Sequence, residues 1–167
     1  MLQLTKDGEY AVRAVLFLAS QPLGKISLIS EISKVQDVPK SYLAKIMQHL
    51  VKVGLVNSRR GAKGGFFLAR PADRITLRQT IEAVEGPIYL NVCLIKKGEC
   101  PRDEICPVHP VWREAQEKLF SVLESKTMAQ LAKDSEMLQK RTQKTGMMKK
   151  TASGKKIFLL TGLKRPF

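Results

Sequence analysis

The stretch PKSYLAKIMQHLVKVGLVNSRRGAKGGFFLAR, from Pro39 to Arg70, decides the fold. Leu43, Ile46, Leu50 and Val53 recur at helical spacing and face a core, which puts Ser41, Ala44, Lys45, Gln48 and Lys52 along the opposite side. Pro39 suits a first helical turn, where its missing N–H leaves nothing unpaired, and Gly54 suits the left-handed position that ends a helix. Beyond it, Leu55 to Arg59 and Phe66 to Ala69 are strand-like runs. They are joined by Arg60-Gly61-Ala62-Lys63-Gly64-Gly65, whose glycines permit positive φ and whose cations have no apolar partner. A polar, basic helix face beside a hairpin with a cationic tip is what a winged helix needs to enter a groove and lie along phosphates. The same residues also describe an ordinary helix and hairpin with a solvated charged turn, so the neighbouring elements decide between the two.

On the N-terminal side, Thr5 caps a helix running to Ser20. From Tyr10 onward it is apolar on nearly every side, which places it at the centre of the domain or at a subunit contact. Its run Ala11 to Ala19 is interrupted by Arg13 and is too short to cross a bilayer. Ser27 then opens a short helix, and Gln36-Asp37-Val38 turns the chain into the Pro39 helix, giving a helix-turn-helix with the second helix placed to read. On the C-terminal side, Pro71-Ala72-Asp73 is a turn. Thr76 and Gln79 form a capping box for a helix that runs to about Glu85 and stops at Gly86-Pro87.

From Pro87 to Pro110 no periodicity survives, and the segment reads as an irregular loop, long enough that it should carry function or lack order. Trp112, Ala115, Leu119, Val122 and Lys126 then keep a three-four spacing, a seam suited to another helix and read here as a dimerisation helix. Thr127 caps one more short helix, MAQLAKD, after which Lys140 to Lys156 is poor in apolar residues and rich in cations, hence disordered. The final IFLLTGLKRPF is apolar enough to dock somewhere. The expected fold is thus mostly α with a small β-hairpin, a winged helix-turn-helix plus a long dimerisation helix. Its parts are a DNA-binding domain over 1–86, a cysteine loop over 87–110, a dimerisation helix region over 111–135 and a basic tail over 136–167.

A chain of 167 residues can bury a proper core without disulfide staples. The formal charge of +14 points to a polyanionic partner, but nine of the 29 basic residues and none of the acids fall from Leu138 onward. Before that point 20 bases stand against 15 acids, a net of +5, so local clusters matter more than the total. Three cysteines and no N-terminal signal pattern argue for a reducing compartment, the cytoplasm, and for metal or redox use over disulfides. Neither histidine has a nucleophile and an orienting acid nearby in sequence, which argues against an enzyme.

Cys93, Cys100, Cys106 and His109 fall in a C-x₆-C-x₅-C-x₂-H pattern on the loop. Thiolates and an imidazole on irregular backbone can converge on one metal centre, whereas core cysteines would follow helix or strand periods. Structural zinc sites usually contain a tight cysteine pair, which is missing here, and wider spacing suits an iron-sulfur cluster better. Zinc and a purely thiol-based redox switch stay open as alternatives. His109 alone would more often be a helix N-terminal residue than a ligand.

Together, TKDGEYAVRAVLFLA, SYLAKIMQHLVKVGLV, the RGAKGGFFLAR wing and the three-cysteine loop before a Trp-bearing helix resemble the IscR/NsrR family of bacterial regulators, the Rrf-type winged-helix proteins, from Leu4 to about Asp134. The resemblance implies a homodimer that binds partly palindromic double-stranded promoter DNA. It implies Cys93, Cys100 and Cys106 as ligands of an iron-sulfur cluster, [2Fe-2S] or, as in some nitric-oxide sensors, [4Fe-4S]. His109 matches the fourth ligand of the iron-sulfur-biogenesis regulators. Glu9 matches the position from which the nitric-oxide sensors supply a carboxylate from the other subunit. The first cysteine gap is one residue longer than is usual in the family, and Ala44 stands where the biogenesis regulator has a base-contacting glutamate.

The expected function is therefore a dimeric transcriptional regulator whose promoter affinity follows the state of its cluster. Ser41, Lys45 and Gln48 would read base edges, while Tyr42, Arg59, Arg60 and Lys63 would hold the backbone or minor groove. The alternative is a cluster-free or zinc-containing winged-helix repressor that senses thiol oxidation.

Overall fold

The computed structural model describes residues 3–61, 63–96, 98, 100–144, 148–150 and 156–158. The first helix, α1 (Lys6–Ala19), begins where Thr5 accepts a hydrogen bond from the Gly8 N–H and ends at Ser20, as its sequence signals require. Ala11, Ala14, Val15, Phe17 and Leu18 of this helix are buried, and it packs against three other helices and the hairpin. A helix apolar on most sides has to be enclosed, and α1 is the centre of the fold.

The next two helices, α2 (Ile29–Gln36) and α3 (Lys40–Lys52), form the helix-turn-helix. Asp37 makes the turn in a left-handed conformation (φ 54°), a region that aspartate tolerates better than most residues. Ile32 of α2 and Leu43, Ile46, Met47 and Leu50 of α3 enter the core. Val53 does not: the helix stops at Lys52, so Val53 is its cap residue and stays 46% exposed. Gly54 follows with φ 73° and turns the chain into the hairpin.

The wing is β1 (Val56–Arg59) and β2 (Gly65–Leu68), antiparallel, with Val56 opposite Leu68 and Arg59 opposite Gly65. Ser27 does not open α2. Its N–H donates to the Phe66 carbonyl and its carbonyl accepts from the Phe66 N–H, both at 2.9 Å, so it adds a one-residue third rung to the sheet. The cap position falls one residue later, at Leu28, and α2 starts there without a side-chain cap.

Thr76 and Gln79 form the capping box of α4 (Leu77–Glu85), which Gly86 ends. The loop that follows holds one short 3₁₀ turn, Val92–Leu94, before α5 (His109–Ser125). Thr127 and Gln130 exchange the two hydrogen bonds of a second capping box and start α6, and the Met128 N–H donates to the Ile75 carbonyl. Met128 is fully buried.

Chain contacts divide the molecule into Met1–Ala132 and Lys133–Phe167. In the second unit the backbone differs from the expected disordered tail. Helix α6 (Met128–Lys144) runs ten residues past Asp134, and β3 (Met148–Lys150) pairs antiparallel with β4 (Lys156–Phe158). The helix continues because Gln139, Lys140, Arg141, Gln143 and Lys144 are good helix formers with no glycine or proline among them. The last residues of the terminal apolar run, 159–167, lie outside the described residues. No helix among the described residues is long and apolar enough to cross a membrane.

Candidate metal centre and nucleic-acid interface

The cysteine loop is shaped by its own backbone. Asn91 caps the 3₁₀ turn by accepting from the Val92 N–H at 2.8 Å, which positions Cys93. The Asp103 N–H donates to the Cys100 carbonyl at 3.1 Å, and the His109 N–H donates to the Cys106 carbonyl at 3.2 Å, so each successive cysteine anchors a turn. His109 is the first residue of α5 and is buried, with Pro110 behind it in the helical turn where a missing N–H costs nothing.

Three side chains converge as a result. The ligand atoms of Cys93, Asp103 and His109 lie within 4.8 Å of one another. Asp103 Oδ1 is 3.6 Å from His109 Nδ1, and both atoms are buried with no hydrogen-bond partner. The other carboxylate oxygen is occupied: Oδ2 accepts from the Gly98 N–H at 2.9 Å. The far ring nitrogen of His109 receives Arg113 Nη2 at 3.0 Å. A cavity of about 430 Å³, lined by Cys93, Leu94, Asp103, Glu104, His109 and Arg113, borders the three.

Burial first, then the charge of Asp103 and the nearby thiols of Cys100 and Cys106, raise the Cys93 thiol above its ordinary pKa. A free thiolate is therefore disfavoured here until a cation arrives to reverse the balance. Of the four ligands expected from the sequence, Cys93 and His109 are brought together. Cys100 and Cys106 stand outside the close set, half-buried on the same loop, and all three cysteines are free thiols. Glu9 is paired with Lys6 at 2.9 Å in the first turn of α1. Asp103 was not anticipated. Sequence offers Asp103 and Glu104 side by side, and only the turn anchored on Cys100 selects between them. Thiol, carboxylate and imidazole, with two orphaned buried atoms facing each other, form a donor set that fits an iron-containing centre.

The nucleic-acid face is simpler. Ser41, Tyr42, Lys45 and Gln48 are exposed along one side of α3, and Arg59, Arg60 and Lys63 are exposed at the wing. Tyr42 packs edge-on against Tyr10 of α1, ring centres 6.4 Å apart, and Arg13 lies 5.8 Å from the Tyr10 ring. Among the described residues no acid pairs with Lys45, Arg59, Arg60 or Lys63, which leaves these cations available to phosphate.

A cavity of similar size, about 430 Å³, lies between the start of α1, the end of α4 and α5, with Ile81, Tyr89, Leu119 and Leu123 in its walls. Leu90, at its edge, donates its N–H to Gln116 Oε1 at 3.1 Å, which ties the loop to the side of α5.

Over residues 4–134 the chain matches the Rrf2 family, described as an iron-dependent transcriptional regulator. It is 33% identical to the HTH-type transcriptional regulator IscR of Xenorhabdus nematophila over 154 residues, 92% of this chain and 93% of that protein. It is 32% identical to IscR of Yersinia enterocolitica over the same shares. Among solved structures it resembles CymR, the global cysteine regulator of B. subtilis, with a TM-score of 0.65 and 28% identity, covering 80% of this chain and 98% of that one. It also resembles T. potens IscR, with a TM-score of 0.63 and 29% identity, covering 83% and 91%.

Proposed function

This chain belongs to the Rrf2 family of transcriptional regulators, and from that premise we propose that it is a homodimer whose promoter affinity is set by an iron-sulfur cluster on the loop 87–110. DNA-binding regulation follows from the family, whose members named above are regulators and not enzymes. The cluster is the finer step. The observation that carries it is that Cys93 and His109, two of the expected ligands, come together at the first turn of α5, beside Asp103 Oδ1 and His109 Nδ1, which are buried without a hydrogen-bond partner.

In this reading Cys93, Cys100, Cys106 and His109 hold the cluster, [2Fe-2S] or [4Fe-4S], with Glu9 of a second subunit as the alternative fourth ligand. When bound, the cluster supplies an inorganic centre that responds to iron supply, redox state or nitric oxide. The chain does the rest. His109 opens α5, so drawing it toward the cysteines moves the first turn of that helix. Gln116 and Glu124, further along α5, hold Leu90 and Arg78 of the preceding segment and of α4. Helix α4 packs on α1 and α3, and α3 carries Ser41, Lys45 and Gln48 to base edges. Two recognition helices must sit about one DNA turn, roughly 34 Å, apart to read a palindrome. A small tilt of α5 is thereby enough to change affinity.

The exposed apolar surface of α5 and its approach supports the dimer. Ile105 is 81% exposed, Val111 and Val122 are each 60% exposed, and Trp112 joins them. Val111 and Val122 fall on one face of α5, and exposed apolar residues grouped in this way mark a partner surface. A thiol-oxidation switch is the second reading, supported by the three free thiols on one loop. The raised Cys93 pKa works against Cys93 as its reactive thiol, because oxidation proceeds through the thiolate.

The test is promoter binding at one stated salt concentration by apo, cluster-loaded and nitric-oxide-treated protein purified without oxygen. Affinity should change with cluster state. Equal affinity in all three forms would overturn the reading.

A further inference from the structure

We propose that Arg13 of α1 holds a DNA phosphate on the strand beside α3, a contact outside both the recognition helix and the wing, and that the Tyr10 ring positions it there. The proposal rests on the reading of α3 as the helix that enters DNA.

Two ring contacts join the elements. Tyr42, on the outward side of α3 and 54% exposed, meets the Tyr10 ring edge-on with centres 6.4 Å apart. The Arg13 guanidinium stands 5.8 Å from the centre of that same Tyr10 ring. Tyr10 and Arg13 are three residues apart in α1 and share one face of it. The half-buried Tyr10 therefore carries a cation of α1 to the edge of the recognition helix. Phosphates recur along one strand about every 3.4 Å of the DNA axis, so groups separated by a single aromatic ring meet nearby phosphates of the same strand.

The cation is unspent. Its distance from Tyr10 is near the outer limit of about 6 Å for a cation over a ring, and a ring contact uses none of the guanidinium N–H donors. Among the described residues no carboxylate pairs with Arg13, and Glu9, one turn earlier, is engaged by Lys6 at 2.9 Å. Helix α3 contains no acid, and Lys40 and Lys45 are exposed on it. The edge between the two helices is thus positive from both sides, and an anion laid across it is attracted by each. The planar fork of arginine matches phosphate better than a lysine would. A phosphate contact fixes orientation without reading sequence. Placed on α1, against which α3 packs, it would set the angle at which α3 enters the groove.

The test is fluorescence anisotropy of the full-length protein on a duplex selected from a random-sequence pool, over a series of salt concentrations. Arg13→Ala should weaken binding about fivefold and lower the slope of log affinity against log salt by about one unit per bound protomer. Arg13→Lys should keep the slope. Tyr10→Phe should behave as wild type, whereas in a Tyr10→Leu background Arg13→Ala should cost less than it does alone. Replacing single phosphates by uncharged methylphosphonate should reveal one position per half-site that weakens wild type and not Arg13→Ala. Circular dichroism reports the fold of each variant. The proposal is overturned, with the DNA reading intact, if Arg59→Ala lowers the slope and Arg13→Ala does not, if no phosphate distinguishes Arg13→Ala from wild type, or if Tyr10→Leu leaves the effect of Arg13→Ala whole. If wild type selects no duplex from the pool, the reading of α3 fails and the proposal with it.

Discussion

The guanidinium of Arg78 on α4 lies 3.5 Å over the ring of Phe120 on α5. The same side chain reaches Glu82 at 3.1 Å on its own helix and Glu124 at 2.5 Å on the other. Arg78 is 23% exposed, so the cation is partly withdrawn from water where it stacks. One residue therefore joins the body that carries the recognition helix to the helix that begins at His109.

Arg78→Ala should remove this joint. The cation–π contact is worth about 1–2 kcal/mol at a partly desolvated site. The pair with Glu124, which is 54% exposed, adds little. Thermal unfolding should fall by about 3–8 °C for a domain of this size. Arg78→Lys keeps the charge but loses the planar stack and fork, and should recover only part of the loss. If α5 relays the state of the loop, Arg78→Ala should also shrink the difference in promoter affinity between apo and loaded protein, measured by fluorescence anisotropy.

A second joint closes the other end of α4. The Thr5 N–H and hydroxyl both donate to Glu85 Oε1, at 3.0 and 2.5 Å. Gly8 lies directly beneath, and a Cβ there would fall on that carboxylate. Glycine inside a helix normally costs about 0.5–1 kcal/mol relative to alanine, so Gly8→Ala alone would be expected to stabilise. Here the methyl displaces Glu85, and the predicted result is neutral or destabilising by up to about 1 kcal/mol. In a Glu85→Ala background the same substitution should stabilise by about 0.5–1 kcal/mol. Urea denaturation of the four proteins in the cycle checks the reversal of sign.

What could be read from the sequence is what the chain fixes within one helical turn. Thr5, Gly54 and the Thr76–Gln79 box each act on backbone three or four residues away, and each stands where its chemistry put it. Ser27 reads as a cap because its partner, Phe66, is distant in sequence, and nothing local marks Ser27 as a strand rung. Val53 reads as core but is the exposed cap residue, because periodicity gives a face but not the residue at which the helix stops. At the candidate site the spacing pointed to the cysteines as a group. The structure brings Cys93 and His109 close to Asp103, a convergence that depends on turns a list of spacings does not contain.

On the DNA face, base readers and phosphate clamps should separate by their salt dependence. Arg59→Ala at the wing should weaken every sequence alike and lower the slope of log affinity against log salt by about one unit. Gln48→Ala, from the exposed side of α3, should leave that slope unchanged and cost about 1–3 kcal/mol on the preferred site only. A change of preferred sequence in Arg59→Ala would reassign it to the bases.

Arg113 offers the most direct check on which histidine nitrogen meets a metal. A guanidinium can only donate, so its 3.0 Å contact requires a lone pair on His109 Nε2 and places the ring proton on Nδ1, facing Asp103. An ion bound through Nδ1 needs the opposite tautomer, with the proton on Nε2 opposed to the guanidinium. Arg113 therefore competes with the metal for the state of the ring, and its bond has to break as the ion enters. For an exposed arginine that bond is worth about 1 kcal/mol, so Arg113→Ala should tighten cobalt(II) binding about fivefold. Nitrogen NMR of His109 should show the proton moving from Nδ1 to Nε2 as a diamagnetic ion such as zinc(II) is added. If Arg113→Ala instead leaves binding unchanged or weakens it, the guanidinium does not compete with the metal for the ring.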